Sequence, residues 1–326
     1  KSWILWFCGF SVGYYFFNPG KSLKKVKIID YNPLPNYSLF IYALSILFLV
    51  LTIVQGMTGD YGGFLINLRL SFVFKTNTFL QPFFVLFTFL WPLLLYEGVV
   101  YKNKKNLLAL LSYMSVYTLA SGGKFGVLMT FSALLLVLNH RRTIKKKQIV
   151  LFSIIGGAFM VLISLFRDSD SNAFLAYSYS PLVAYQSIEG QHNQIFGHET
   201  LRFFYSMFNA LGLDDTPPPP DFYDYIMTPL YVNVYTAFRP FYSDFGFLGV
   251  LLGGLCYGLF FGYNYKGYVQ GKLLQSGLYM GYAFAIISIP FSDLLFLNLS
   301  LIFRTIIVFT VIFIIFNNRI KYKFNG

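Results

Sequence analysis

Phe245-Gly-Phe-Leu-Gly-Val-Leu-Leu-Gly-Gly-Leu-Cys-Tyr-Gly-Leu-Phe-Phe-Gly-Tyr263 is a run of 19 residues without a charge. About 20 apolar residues in helical form cross the hydrocarbon of a bilayer. Runs like this one recur, at roughly 3–17, 38–55, 79–97, 106–120, 125–138, 149–166, 244–264, 276–291 and 299–316. The whole chain of 326 residues is 56% hydrophobic and 12% charged, about half the charged share of a soluble domain. Backbone polar groups have no partner in lipid, so such spans must be helices. The alternating short strands of an outer-membrane barrel are absent from the pattern. The expected fold is therefore an all-α polytopic integral membrane protein. Nine runs, and one further span expected before Lys1, give about 9–10 transmembrane helices.

Charge sets the expected orientation. Seventeen of the 25 basic residues fall in alternate loops: at Lys21–Lys27, Lys102–Lys105, Arg141–Lys147, Lys266 and Lys272, and Arg319–Lys323. Lysine and arginine concentrate on the cytoplasmic side of a membrane. The net charge of +12 is then a topological signal and argues against a nucleic-acid partner. Eleven of the 13 acidic residues lie on the opposite, outer face, with His192 and His198. Three parts follow: N-terminal transmembrane helices at 1–166, a large outer loop at 167–243, and C-terminal helices with a cytoplasmic tail at 244–326. Within the loop, 173–188 and 199–211 read as short amphipathic helices lying in the interface. Asp214-Asp-Thr-Pro-Pro-Pro-Pro-Asp221 breaks them with an extended polyproline segment. A second outer loop, 56–78, reads as a glycine-rich turn followed by Arg69, and Ser121-Gly-Gly-Lys124 as a tight turn or a re-entrant hairpin.

The chemistry-bearing residues cluster just before the quoted run, in Asn233-Val-Tyr-Thr-Ala-Phe-Arg-Pro-Phe-Tyr-Ser-Asp244. Charge at the mouth of a membrane helix is expensive and commonly functional. Arg239 is a planar fork suited to phosphate oxygens, and Asp244 is a carboxylate able to act as a base. An ordinary interfacial ion pair inside an aromatic belt reads the same residues equally well. Arg239 precedes Pro240, which predicts a turn position outside the helix, with Asp244 at the helix N-terminus. Tyr235, Thr236 and Tyr242 complete the stretch as substrate contacts. Arg69, Lys124, Arg167 and Arg202 are candidate phosphate-binding cations, and Arg304 sits inside the last span with Asp293 as an expected partner. His198, beside Glu199 and near His192, is a candidate base. The spacing matches no metal-ligand pattern, so no metal and no cofactor are expected. Cys8 and Cys256 lie in apolar runs and form no disulfide framework.

The pattern Asn-Val-Tyr-Thr-x-Phe-Arg-Pro-x-Tyr-x-Asp-Phe-Gly-x-x-Gly over 233–249 resembles the bacterial O-antigen and capsule repeat-unit polymerases of the Wzy type. Many spans, a large external loop before the motif and the basic small-residue turn at 121–126 agree in layout. Arg202 precedes Gly212, and Arg239 precedes Gly249, one position short of the Arg-x10-Gly motifs that some members carry. The resemblance implies a metal-independent glycosyltransferase of the inner membrane, with its active site facing the periplasm. It would join undecaprenyl-pyrophosphate-linked oligosaccharides, with a chain-length regulator as a possible protein partner. Arginine would stabilise the pyrophosphate and a carboxylate or histidine would activate the acceptor hydroxyl. Two alternatives are a flippase for lipid-linked sugars and an O-antigen ligase. The near absence of charge within the spans weighs against a transporter.

Overall fold

The computed structural model describes residues 1–17, 31–59, 62–76, 78–140, 145, 147–148, 150–151, 154, 158, 173–188, 190, 193, 195–219, 223–224, 226–228 and 230–317. The expected span at 149–166 lies outside them for the most part. The elements in order are α1 (Ser2–Phe16), α2 (Ser38–Thr58), α3 (Phe64–Val73), α4 (Gln81–Val100), α5 (Lys104–Ser121), α6 (Lys124–His140), α7 (Ala173–Gln186) and α8 (Arg202–Ala210). A short antiparallel hairpin follows, β1 (Ile226–Thr228) and β2 (Leu230–Val232), with Met227 opposite Tyr231. The chain closes with α9 (Arg239–Val269), α10 (Leu273–Tyr282), α11 (Phe284–Ile287) and α12 (Leu299–Asn317). The architecture is mostly helical. Among the described residues, α2, α4, α9 and α12 are long and apolar enough to cross a membrane. The protein is membrane-associated on that basis.

Contacts divide the chain into two units. The first comprises Lys1–Val26, Asp168–Gln270 and Tyr282–Ser300, and the second Lys27–Arg167, Gly271–Gly281 and Leu301–Gly326.

The first unit is built on a seam between α1 and α9. Trp6, Phe10 and Tyr14 present their carbonyls to Gly254, Gly258 and Gly262, while Gly9 and Gly13 receive the backbone at Leu251 and Leu255. Both helices thus carry a small residue every fourth position, and the offset between contacting residues stays constant, so they run parallel. Spans one and seven of the sequence reading share a direction, as these two helices do. Lipid tails are as apolar as leucine, so close backbone packing is what holds membrane helices together. Trp6 seals the seam from above, 5.1 Å from Phe238, 5.6 Å from Phe241 and 4.9 Å from Tyr257.

Helix α9 is two helices merged at a break. Gly246 has φ 61° and ψ −148°, a conformation that only glycine adopts cheaply. A short segment, 239–245, therefore precedes the apolar length that follows. Arg239 is the first residue of that segment and not part of the preceding turn, with Pro240 in the first helical turn. Proline fits there because its missing N–H would have had no intrahelical partner.

In the second unit, α2, α4 and α5 meet at Phe48, which stacks on Phe83 at 4.9 Å and lies 5.4 Å from Tyr113. Ser45 and Thr52 donate to the carbonyls of Ile41 and Phe48 four residues back, which satisfies them without a partner helix. Glu97 is fully buried; its Oε1 accepts from Asn106 Nδ2 at 2.8 Å and Tyr37 Oη at 3.1 Å. The loop expected at 56–78 holds a helix: α3 carries Arg69, and Asn67 donates to the Gly56 carbonyl at 2.9 Å. The turn at Ser121-Gly-Gly is as expected, with Gly122 at φ 55° ending α5.

Candidate functional site

The first unit places a polar cluster at the start of α9. The Arg239 guanidinium is wedged between two rings, 3.6 Å from the Tyr223 centroid and 3.9 Å from the Tyr235 centroid. Those rings are 5.4 Å apart and meet at 74°. A desolvated cation over an aromatic face gains on the order of 2 kcal/mol. Tyr235 is held in turn by donation from its hydroxyl to the Asp224 carbonyl at 3.1 Å. Arg239 Nε faces Glu199 Oε2 at 3.7 Å, and the two side chains are only 13% and 11% exposed.

Asp244 and Glu199 have different roles. Asp244 Oδ1 accepts from Asn193 Nδ2 at 2.7 Å and from the Glu199 amide at 3.2 Å, and Oδ2 accepts from the Thr200 amide at 2.7 Å. Asp244 therefore caps the 197–200 turn, rather than the N-terminus of its own span. Asn193 N donating to Ser243 O at 2.8 Å, and Thr200 Oγ1 donating to Pro240 O at 3.2 Å, complete the clip. This clip presents Glu199 to Arg239. Among the described residues, Glu199 Oε2 has no hydrogen-bond partner, and neither do Arg239 Nε and Nη1, Tyr223 Oη, Thr236 Oγ1 or Asp293 Oδ2, all buried. Each such atom costs about 1–3 kcal/mol if it stays unmet, so protein interiors rarely gather them without a functional reason.

Burial pushes the Glu199 carboxyl up; the Arg239 guanidinium opposes this in part, and the Asp244 carboxylate adds to it. Burial also raises Tyr223, and the nearby Glu199 carboxylate raises it further, although no hydrogen bond of good geometry joins the two. Asp293 lies in the connection between α11 and α12. Its Oδ1 accepts from Tyr257 Oη at 2.5 Å, the Phe296 amide at 3.0 Å and the Leu295 amide at 3.1 Å. Burial lifts its carboxyl to about 6. The Ala237 amide donates to the Ile289 carbonyl at 2.9 Å, and Phe241 packs 5.1 Å from Phe296, so this connection lies against the 236–241 corner.

The structure brings Arg239, Tyr235 and Thr236 together. Tyr242 is buried with other neighbours, accepting from the Gly190 amide at 3.3 Å, with its ring 5.5 Å from Tyr185. His198 points elsewhere. Its Nε2 donates to the Pro217 carbonyl at 2.9 Å, which ties down the proline-rich segment. Arg202 opens α8. Arg69 belongs to the second unit, where its Nη1 is 3.3 Å from where a side chain on Gly123 would begin. Lys124 starts α6 in that same unit, and Arg304 is exposed on α12. Arg167 and His192 lie outside the described residues. Sequence reasoning did not single out Tyr223 or Asn193, and treated Glu199 as one member of a polar stretch. No local pattern marks them, because the cluster is drawn from positions 193–200, 223, 235–244 and 293. Among the described residues, no three His, Cys, Asp or Glu side chains gather into a metal-binding group.

No protein-family model, curated protein or solved structure matches this chain.

Proposed function

We propose that this chain is an integral-membrane glycosyltransferase that polymerises undecaprenyl-pyrophosphate-linked repeat units into O-antigen or capsular polysaccharide. Its active site faces the periplasm from the inner membrane, an orientation that rests on the lysine and arginine distribution. The observation that carries this reading is the Arg239–Glu199 cluster: a buried ion pair whose donors and acceptors have no hydrogen-bond partner among the described residues, framed by tyrosines, in an otherwise apolar helical unit. Sugars combine hydroxyls that donate and accept with apolar ring faces, and such a site meets both.

In this mechanism Glu199 is the base. Its carboxylate takes the proton from an acceptor-sugar hydroxyl, and that oxygen attacks the anomeric carbon of the donor. The bond from that carbon to the pyrophosphate oxygen breaks, and its electron pair leaves with the lipid pyrophosphate. A carboxylate raised by burial is a stronger base than one in water. Arg239 keeps Glu199 in place and ionised between transfers. Asp244 acts one step back, by holding the 197–200 turn.

The test is a chromosomal replacement read as a glycan ladder on a gel, with the protein level measured alongside. Glu199→Gln and Arg239→Ala should each collapse the ladder to single repeat units while the protein still accumulates. Full-length ladders from both variants would refute the proposal.

A further inference from the structure

The first unit also holds a cavity of about 440 Å3, and no member of the Arg239–Glu199 cluster lines it. Small-molecule sites run from about 300 to 1,000 Å3. One wall is a face of α7: positions 179, 182, 183 and 186 line the cavity at the three- and four-residue steps of a single helical face. The start of α1 supplies Ser2 and Trp3. Helix α9 supplies Tyr242 and Phe247, and it can do so because of the break at Gly246. Residues five apart on an unbroken α-helix point about 140° away from each other. Here the Tyr242 and Phe247 rings meet edge to face at 5.3 Å. Tyr185 lies 5.5 Å from Tyr242, and Trp3 and Tyr185 both abut Phe238, at 4.6 and 5.8 Å, so one aromatic corner fixes all the walls. Neutral polar groups lie among these rings. Ser2 Oγ and Tyr185 Oη are hydrogen-bonded at 2.8 Å, Tyr242 Oη accepts from the Gly190 amide, and Gln186 adds a side-chain amide. Ser2 and Tyr242 are only 8% and 4% exposed, so their hydroxyls are built into the fold. Lys1 is the one charged residue among the described residues that line the cavity.

This lining sorts the occupants. A phosphate calls for several converging cations or amides, and here there is a single lysine. An isoprenoid or acyl chain would use the rings and leave the hydroxyls and the Gln186 amide facing hydrocarbon. A sugar uses both, because its C–H faces lie on aromatic rings and its hydroxyls exchange hydrogen bonds with groups that give and accept. Tyr179, Leu182, Gln186 and Phe247 are exposed, so a glycan can continue outward on that side. We infer that this cavity is a carbohydrate subsite, separate from the Arg239–Glu199 cluster, which binds neutral sugar residues of a substrate glycan. The inference rests on the glycosyltransferase reading and adds to it a hold on the glycan away from the residue that reacts.

The test combines Tyr179→Ala with Gln186→Leu. Both positions are exposed, so the double variant removes one ring face and one amide while sparing the packed walls. Purified full chain in nanodiscs is titrated by thermophoresis with three probes: the repeat-unit oligosaccharide released from the host's own surface glycan, farnesol and inorganic pyrophosphate. Thermal unfolding confirms that each variant is folded, and glycan ladders are read from cells carrying the same variants. The oligosaccharide should bind wild type, and the double variant should bind it roughly tenfold more weakly or worse, as expected for one lost hydrogen bond and one lost aromatic contact. Its ladder should shorten without collapsing to single units. Wild-type affinity and a wild-type ladder in the double variant, with Glu199→Gln still collapsed to single units, would overturn the subsite and leave the glycosyltransferase reading standing. Farnesol that displaces the oligosaccharide, and binds Gln186→Leu more tightly than wild type, would make the cavity a lipid slot and overturn the proposal. Displacement by pyrophosphate would overturn it in favour of a phosphate site. Full-length ladders from Glu199→Gln and Arg239→Ala would take down the glycosyltransferase reading and the subsite with it.

Discussion

The seam between α1 and α9 gives the most direct test of how the fold is held. A β-carbon added at Gly258 would overlap the Phe10 carbonyl oxygen and lie 2.8 Å from the Tyr14 nitrogen. The nitrogen alone is 0.6 Å short of the 3.4 Å at which ordinary contact begins, and the oxygen is shorter still. Both obstacles are backbone, so no rotamer change relieves them. The helices must part, and that also loosens the contacts at Gly254 and Gly262 one turn either side. Overpacking typically costs about 1–3 kcal/mol, and a backbone obstacle with two coupled neighbours belongs at the top of that range. Gly258→Val should therefore destabilise the first unit by about 3 kcal/mol, a hundredfold shift in its folding equilibrium. Cys256→Val is the control, because Cys256 is exposed on the same helix two residues away and should change stability by less than about 0.5 kcal/mol. The assay is unfolding in mixed micelles with increasing denaturing detergent, followed by Trp3 and Trp6 fluorescence, since Trp6 lies in the seam. If Gly258→Val and Cys256→Val unfold at the same midpoint, the seam does not hold the unit and the packing argument fails.

Three further outcomes follow from the site and the topology. Asp244→Asn keeps one acceptor oxygen and sets an NH2 against the Asn193 or Thr200 donors, so hydrogen exchange in 197–200 should speed up, at a stability cost of about 1–3 kcal/mol. An unchanged exchange rate would refute the capping role. The pH dependence of stability and of activity should run in opposite directions. A carboxyl raised in the folded state lends stability that is complete below its unfolded pKa and is lost as pH rises through the folded one. For Asp293 the window runs from 3.8 to about 6, so the unfolding midpoint should fall across it as pH rises, and Asp293→Asn should flatten that slope. Activity should instead fall on acidification, because Glu199 must be ionised to act as a base, and loss of both slopes in Glu199→Gln alone would refute the division. With Cys8 and Cys256 replaced by alanine, Pro218→Cys should react with an impermeant thiol reagent in intact cells and Lys146→Cys should not. The reverse labelling would invert the orientation and move the proposed site to the cytoplasm.

Span positions were legible because a bilayer demands one simple property, unbroken apolar length. The runs at 38–55, 79–97, 244–264 and 299–316 fall on α2, α4, α9 and α12, while the run at 106–120 coincides with α5, which is helical but not among the helices apolar enough to cross. Helix α3 was hidden because Gly59, Gly62, Gly63 and Arg69 read together as a polar loop, although Asn67 and Ser71 satisfy their polar groups within the fold. The span expected at 276–291 is broken, with α10 and α11 as two shorter helices. The break at Gly246 was not visible because a single glycine in a helix as glycine-rich as α9 does not announce its own φ. At the site, the stretch 233–244 was found from its unusual density of polar groups beside a span. Its partners could not be, since Glu199, Tyr223 and Asp293 come from three distant segments and look ordinary in their own surroundings. The sequence reading favoured Asp244 over Glu199 as the base; the fold fills both Asp244 oxygens with hydrogen-bond donors and leaves Glu199 Oε2 facing Arg239 at 3.7 Å with no hydrogen bond among the described residues.

The pairing of α1 with α9 also bears on how the chain is made. Trp6 meets Gly254, a partner synthesised 248 residues later. At about 5–20 residues per second, the first helix waits roughly 12–50 s in the bilayer before its counterpart emerges. During that wait, the flank carrying Gly9 and Gly13 faces lipid or an insertion factor. Every helix made in between must be inserted without capturing it. The seam is thus assembled late, once the ribosome has passed residue 262, and the unit that carries the polar cluster later still, once it has passed residue 300.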